Sequence, residues 1–91
     1  MSDWISFYDF KHSVIYVNAR HRDVHHRKIA EDIRGYLASA AAHVLDYGCG
    51  EATSAGLVAE ACAQLVLVEA APNVRASLTM RYSRHPRIAV V

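Results

Sequence analysis

The chain has 91 residues, enough for one small domain, and 53% of them are hydrophobic while 21% are charged. This composition predicts a packed globular chain and excludes intrinsic disorder. With a formal net charge of +1, the chain lacks the excess of basic residues that is typical of a protein that binds nucleic acid or an anionic membrane.

Two cysteines, Cys49 and Cys62, are too few for a disulfide framework. With no signal peptide or membrane-spanning run evident, we expect a cytoplasmic protein without a membrane partner.

Residues 1–42 are predicted to form a helical N-terminal extension. Its first 17 residues are rich in aromatic side chains, which fit either a substrate lid or a hydrophobic flap packed over a sheet. Asn18 predicts the N-cap of a helix over residues 19–39, in which Gly35 favours a bend or an early end. Apolar side chains at three-to-five-residue spacing predict one buried stripe. They are Val24, Ile29, Ile33, Tyr36 and Leu37.

From residue 43 onward, predicted strands and helices alternate. Apolar runs predict strands over 43–47, 64–69 and 87–91, with helices over 53–63 and 73–83 between them. The run 64–69 is continuously aliphatic, which is typical of a strand covered on both faces. The alternation predicts an α/β fold with three parallel strands joined by right-handed crossovers.

The strongest chemical signal is a glycine turn at the end of the first predicted strand. It consists of Asp46, Tyr47, Gly48, Cys49 and Gly50. Glycines permit a sharp turn and close approach of a ligand to the main chain, and the amides that open the next helix favour a carboxylate. Glu69 ends the second predicted strand, about 20 residues further on, where a carboxylate can accept hydrogen bonds from ribose hydroxyls. Since ligands of open α/β sheets bind at the carboxyl ends of strands, we expect a cofactor site here.

Two classes of cofactor share this arrangement, the dinucleotides and S-adenosylmethionine. The dinucleotide pattern G-x-G-x-x-G requires glycine or alanine at its sixth position, where this chain has Thr53. Asp46 would also oppose the negative charge of a pyrophosphate, whereas it suits a ligand with an amino group and a sulfonium. The residues therefore favour S-adenosylmethionine.

The segment 44–50 resembles motif I of the class I S-adenosylmethionine-dependent methyltransferases, and Glu69 within 66–71 resembles their motif II. The resemblance covers residues 43–91 and departs at Ala52, where the motif has its third glycine. It implies that the backbones of Gly48 and Gly50 approach the methionyl part of the cofactor. It further implies that Asp46 orients the turn and holds the amino group.

The same resemblance assigns further cofactor contacts. Glu69 would bind the ribose, with Ala70 and Ala71 beside the adenine. Segment 16–21 resembles a lid-like extension of some bacterial members, and its expected cofactor contacts are Tyr16 and Arg20. The implied cofactor-binding residues are therefore Tyr16, Arg20, Asp46, Tyr47, Gly48, Cys49, Gly50, Glu69 and Ala70.

The complete class I fold has seven strands, and this chain supplies the first three. Residues 43–91 are thus expected to form the N-terminal half of a Rossmann-like cofactor-binding domain that stops after strand three. The isolated chain is expected to be inactive, with an unknown methyl acceptor and no assignable catalytic residue. Because strand one is central in the complete fold, its open edge at 44–47 predicts self-association or recruitment of a partner.

Other interpretations remain beside the methyltransferase one. A non-catalytic cofactor-binding or assembly module, completed by a partner, is the main alternative, and a dinucleotide-binding oxidoreductase is less favoured. The histidines at 21, 25 and 26 are interpreted as a solvated or partly packed helix face rather than a metal site. Cys49 is interpreted as a small turn residue rather than a nucleophile. Four arginines, at 75, 81, 84 and 87, are interpreted as solvated surface.

Overall fold

The computed structural model of the chain describes residues 4–6 and 18–91. Residues 4–6 form a short helical segment. The elements that follow are α1 (Ala19–Tyr36), β1 (His43–Tyr47), α2 (Ala55–Glu60), β2 (Gln64–Val68), α3 (Pro72–Tyr82) and β3 (Ile88–Val90). The extended segment expected at 13–17 lies outside the described residues.

The three strands form one parallel sheet in the order β1-β2-β3. Leu45 pairs with Val66, which pairs with Ala89, so the strands start and end almost level. This confirms the predicted α/β architecture with a parallel sheet and flanking helices, which is compatible with a Rossmann-like fold. Within the part of the chain that the structure describes, β1 is an edge strand.

The core lies on one face of this sheet. Leu65 and Leu67 of β2 are buried against a cluster that includes Ala30 of α1, Val58 of α2 and Leu78 of α3. Two right-handed crossovers that advance in the same direction place their helices, here α2 and α3, on the same side of a sheet. Helix α1 joins this side by packing against α2.

Among residues 4–6 and 18–91, the opposite face of the sheet is the more exposed one. Leu45 is 64% exposed and Tyr47 is 81% exposed, while Val66 and Val68 are half-buried. The expectation that β2 is covered on both faces is therefore wrong for the described residues. A continuous aliphatic run does not reveal on its own which of its two faces will be covered.

Helix α1 begins where the sequence predicts, because the Oδ1 atom of Asn18 accepts a hydrogen bond from the His21 N–H at 2.8 Å. It ends at Tyr36, one residue after Gly35 and three residues before the predicted end. Its last turn is closed by the Leu37 N–H, which donates to the Arg34 carbonyl oxygen at 3.2 Å.

The buried face of α1 differs from the predicted stripe. His26 and Ala30 are buried and Ile33 and Leu37 pack partly against the core, whereas Val24 is 57% and Tyr36 is 90% exposed. The reason is that α1 packs against α2, whose short alanine-rich face admits the small Ala30. Since Ala30 joins the core formed by residues 43–91, α1 is a packed layer of the same unit.

Helix α2 is shorter than predicted, with six residues. The turn after β1 continues to Ser54, and β2 begins at Gln64. The segment between them has room for a helix of about one and a half turns. Ala55, Val58 and Ala59 are its buried side chains. Among residues 4–6 and 18–91, the structure contains no helix with the length and apolarity that a membrane span requires.

Candidate functional site

A groove of about 570 Å³ lies at the carboxyl ends of the strands. Its volume is within the range of about 300–1,000 Å³ that is typical of small-molecule sites. The lining residues are Trp4, Ile5, Tyr47, Gly48, Val68, Glu69, Ala70, Arg75 and Val91. Trp4 and Ile5 belong to the N-terminal segment, whereas the other lining residues end or follow the three strands. The groove therefore occupies the position where open α/β sheets bind ligands. We call it the strand-end groove.

The glycine turn forms one end of this groove. Gly48 and Gly50 adopt φ angles of +72° and +63°, in the region that favours glycine. The N–H groups of Gly48 and Cys49 donate to the Val68 carbonyl oxygen at 2.8 and 3.3 Å, which fixes the start of the turn against the end of β2. A Cβ atom added at Gly48 would meet no heavy atom within 4 Å. The turn therefore leaves open space beside its main chain.

Glu69 joins the two loops that border the groove. The residue is 5% exposed, and its Oε1 and Oε2 atoms accept hydrogen bonds from the N–H groups of Gly50 at 2.8 Å and Ala71 at 3.0 Å. A carboxylate oxygen has two lone pairs, so each oxygen retains capacity for a second donor. Glu69 thus fixes the two loops, and it is one of the residues that line the groove.

Arg75 is a site residue that the sequence interpretation missed. One of its Nη atoms donates to the carbonyl oxygens of Glu69 at 3.0 Å and Ala70 at 3.3 Å. It is half-buried and lines the groove, so the interpretation as solvated surface is wrong for Arg75, whereas Arg81, Arg84 and Arg87 are exposed. The sequence offered one signal of this role. Arg75 is one turn into α3, and a long side chain at that position points back toward the loop before the helix.

Tyr82 is a second residue that the sequence did not single out. Its hydroxyl donates to the Ala52 carbonyl oxygen and accepts from the Ala55 N–H at 3.3 Å. Ala52 has a φ of +41°, a conformation that its methyl group disfavours and that glycine adopts freely. The buried phenol at the end of α3 therefore fixes the strained exit of the glycine turn and the first residue of α2.

Asp46 does not line the strand-end groove. It faces the helix-covered side of the sheet, where it borders a cavity of about 20 Å³ together with His26 and Cys49. Burial raises the pKa of the Asp46 carboxyl, and the negative charge of Glu69 raises it further. The two carboxylates are thus close enough to interact, although only that of Glu69 borders the larger groove.

Cys49 has the properties of a packed turn residue. Burial, followed by the negative charges of Asp46 and Glu69, raises the pKa of its thiol to about 12. A nucleophilic cysteine needs a lowered pKa, so this environment disfavours thiolate chemistry. The geometry thus supports the interpretation of Cys49 as a small side chain in the turn.

The histidines of α1 can be assessed as metal ligands only against the described part of the chain. Among residues 4–6 and 18–91, no group of three or more histidine, cysteine or acidic side chains could hold a metal ion. His21 and His25 are exposed, but His26 is buried and its pKa is lowered by that burial and by the nearby His25. His26 therefore packs in the folded chain as a neutral side chain.

The structure brings together four of the predicted cofactor residues. Tyr47, Gly48, Glu69 and Ala70 line the strand-end groove, and Gly50 is tied to Glu69. Arg20 is exposed at the start of α1 and lines a different groove. Tyr16 lies outside the described residues.

Comparisons with protein-family models, with curated proteins and with solved structures found no match. The fold and the site therefore define the chain as an α/β protein with a three-stranded parallel sheet and flanking helices. A groove of ligand size lies at the carboxyl edge of that sheet.

Two glycine-to-alanine substitutions are expected to have opposite effects on stability. Gly48→Ala should lower the free energy of unfolding by about 1–2 kcal/mol, because an L-residue is strained at a φ of +72°. Gly56→Ala should raise it by about 0.5–1 kcal/mol, because Gly56 is inside α2 and its added Cβ would meet no atom within 4 Å. Urea unfolding of both variants measures the difference, and a stabilised Gly48→Ala variant would contradict the geometry of the turn.

The environment of Asp46 predicts a specific pH dependence. Because the pKa of this carboxyl is higher in the folded chain than its ordinary 3.8, folding takes up a proton between the two values. The contribution of Asp46 to stability is thus largest below the ordinary pKa and is lost as the pH rises through the folded-state pKa. The free energy of unfolding of Asp46→Asn minus that of the parent should increase as the pH rises from 3.8 and then level off. Urea unfolding at several pH values measures this difference, and a difference that falls with pH would refute the assignment.

Proposed function

We propose that the chain binds S-adenosylmethionine and is the cofactor-binding part of a class I methyltransferase. One observation carries the proposal. Glu69 lines the strand-end groove while its carboxylate is held by the Gly50 and Ala71 amides, so the acid after β2 is fixed beside the glycine turn after β1. Those two features carry the resemblance in the sequence, and they meet in one groove.

The ribose would lie against Glu69. The second lone pair on each carboxylate oxygen is available for a hydroxyl donor, and a ribose supplies two neighbouring hydroxyls. Ala70 is exposed at the groove and offers a small surface beside which an adenine can lie. Apolar contacts from Val68 and Val91 would complete this part of the site.

The charges around the turn favour S-adenosylmethionine over a dinucleotide. The Gly50 amide, which would face a pyrophosphate in a dinucleotide site, donates instead to a carboxylate. Asp46 adds a second acidic group close to Glu69. A pyrophosphate in the groove would meet the negative charge of Glu69, whereas the ammonium and sulfonium groups of S-adenosylmethionine are attracted by it. Arg75 also lines the groove, but its guanidinium group is engaged by the carbonyl oxygens of Glu69 and Ala70. This supports the cofactor choice made from Thr53 and Asp46 in the sequence.

Methyl transfer asks the protein mainly to align donor and acceptor and to exclude water. The cofactor supplies the methyl group, and the residues described above would bind and orient it. None of them is assigned to the acceptor, so the proposal names the reaction class and no catalytic residue.

Binding of S-adenosylhomocysteine tests the proposal. We expect saturable binding in calorimetric titration, and a dissociation constant at least about tenfold weaker for Ala70→Trp, whose side chain would occupy the groove. Ala76→Trp is the matched control, because Ala76 is an exposed residue of α3 outside the groove and should bind like the parent. A nicotinamide dinucleotide is titrated alongside as the competing cofactor.

The outcomes separate the alternatives. Preference for the dinucleotide over S-adenosylhomocysteine would replace the methyltransferase proposal with an oxidoreductase. Absence of binding by a folded parent chain would refute cofactor binding by this unit. Equal weakening in Ala70→Trp and Ala76→Trp would place the ligand outside the strand-end groove.

An assembly module completed by a partner is a second candidate, and the open side of the sheet favours it. β1 is an edge strand in the described part of the chain, and Leu45 and Tyr47 project from its uncovered face. An unpaired strand edge with apolar side chains beside it is a template for strand pairing.

Self-association through β1 is the corresponding expectation. In sedimentation velocity, the parent should shift toward dimer as its concentration rises. Leu45→Lys should remain monomeric, because a symmetric antiparallel pair centred on this residue would oppose two like charges. Ser77→Lys, at an exposed site on α3, is the control and should dimerise normally. A parent that stays monomeric over a wide concentration range, with slowly exchanging β1 amides, would rule this interface out.

A further inference from the structure

A second groove of about 570 Å³ lies beside α1. It is lined by Arg20, Arg22, Asp23, Val24, Arg27, Thr53, Ser54 and Arg81. We call it the arginine groove. It shares no lining residue with the strand-end groove, so it is a separate candidate site among the described residues.

One wall of the arginine groove is a stripe of α1. Arg20 and Arg27 are seven residues apart, or nearly two helical turns, and therefore lie on the same face of the helix. Val24 lies between them on this face, which accounts for its exposure. The opposite side is formed by Thr53 and Ser54, before α2, and by Arg81 near the end of α3.

The groove carries an excess of positive charge. Arg22 pairs with Asp23 and with Glu51, and Arg27 pairs with Glu31. Arg20 and Arg81 have no ion-pair partner among the described residues. Four arginines thus line the groove with a single acidic side chain, Asp23, and two of the guanidinium groups remain available for an anion.

One hydroxyl group adds hydrogen-bonding capacity. Ser54 lines the groove and is the N-cap residue of α2, but its side chain makes no capping hydrogen bond. The neighbouring Thr53 Oγ1 atom is buried, so the hydroxyl offered to a ligand is that of Ser54.

We propose that the arginine groove binds the phosphate group of a small, nucleotide-sized ligand. Guanidinium groups recognise phosphate oxygens through paired hydrogen bonds, and hydroxyl groups donate to the remaining oxygens. The volume fits a small molecule. The cluster is confined to one groove of a chain whose formal net charge is +1, which favours a small phosphorylated ligand over a polynucleotide.

Titration of the 91-residue chain with pyrophosphate and with ribose 5-phosphate, in a buffer without phosphate or sulfate, tests the proposal. We expect saturable binding by the parent. The double variant Arg20→Gln, Arg81→Gln should weaken it at least about tenfold, because it removes both available guanidinium groups. Arg84→Gln is the charge control, since Arg84 is exposed and does not line the groove, and it should bind within about twofold of the parent.

Ser54→Ala separates a ligand contact from a structural role. Because the Ser54 side chain makes no capping hydrogen bond, its removal should leave the urea midpoint nearly unchanged. The same variant should bind pyrophosphate more weakly than the parent. A lowered midpoint with unchanged binding would mean that the hydroxyl serves the fold and not a ligand.

Four results would overturn the proposal. The first is that the folded parent shows no saturable binding, and the second is that Arg84→Gln weakens phosphate binding as much as the double variant does. The third is tight binding of a single-stranded oligonucleotide without binding of the small phosphates. The fourth is that the double variant weakens the binding of S-adenosylhomocysteine alone. The last result would assign the arginines to the cofactor. Because the arginine groove and the strand-end groove have separate residues and probes, either proposal can fail while the other stands.

Discussion

The carboxylate of Glu69 holds together the two loops on which the strand-end groove depends. It accepts one hydrogen bond from the Gly50 amide, after β1, and one from the Ala71 amide, after β2. Charged acceptors make stronger hydrogen bonds than neutral ones, and removal of one would leave buried amides without a partner. The positive φ of Gly48 and Gly50 and the donation from Arg75 to the β2–α3 loop all serve to bring this acid and these amides together. The groove therefore depends on two loops that are joined by the side chain of Glu69.

The same carboxylate also sets the electrostatic character of its surroundings. Burial raises the pKa of the Asp46 carboxyl and of the Cys49 thiol, and the nearby negative charge of Glu69 raises both further. An acidic turn and a thiol that stays protonated fit a site that attracts a cationic ligand and performs no covalent chemistry of its own. This is a different balance from that of a pyrophosphate site, where free amides face the ligand.

The sequence correctly predicted the features that depend on residues close together in the chain. The bounds of β1, the cap at Asn18 and the positions of the glycine turn and Glu69 are all local patterns, and each is where it was expected. The sequence misplaced what depends on packing between distant segments. The buried face of α1 is set by Ala30 against α2, and Tyr82 reaches back 30 residues to Ala52. Arg75 was interpreted as surface, because its partners are main-chain oxygens that no residue pattern reveals.

The spatial distribution of charge was the feature that the sequence revealed least. A formal net charge of +1 sums two regions of opposite sign that the fold keeps apart. The acidic groups Asp46 and Glu69 gather at the strand ends, while arginines from α1 and α3, which are far apart in the chain, meet in the arginine groove. Arg22 and Arg27 of that groove are paired with acidic side chains, whereas Arg20 and Arg81 have no ion-pair partner among the described residues. A nearly neutral chain therefore gathers four arginines at one groove and places a single acidic residue, Glu69, beside Arg75 at the other. The net charge does not reveal this distribution.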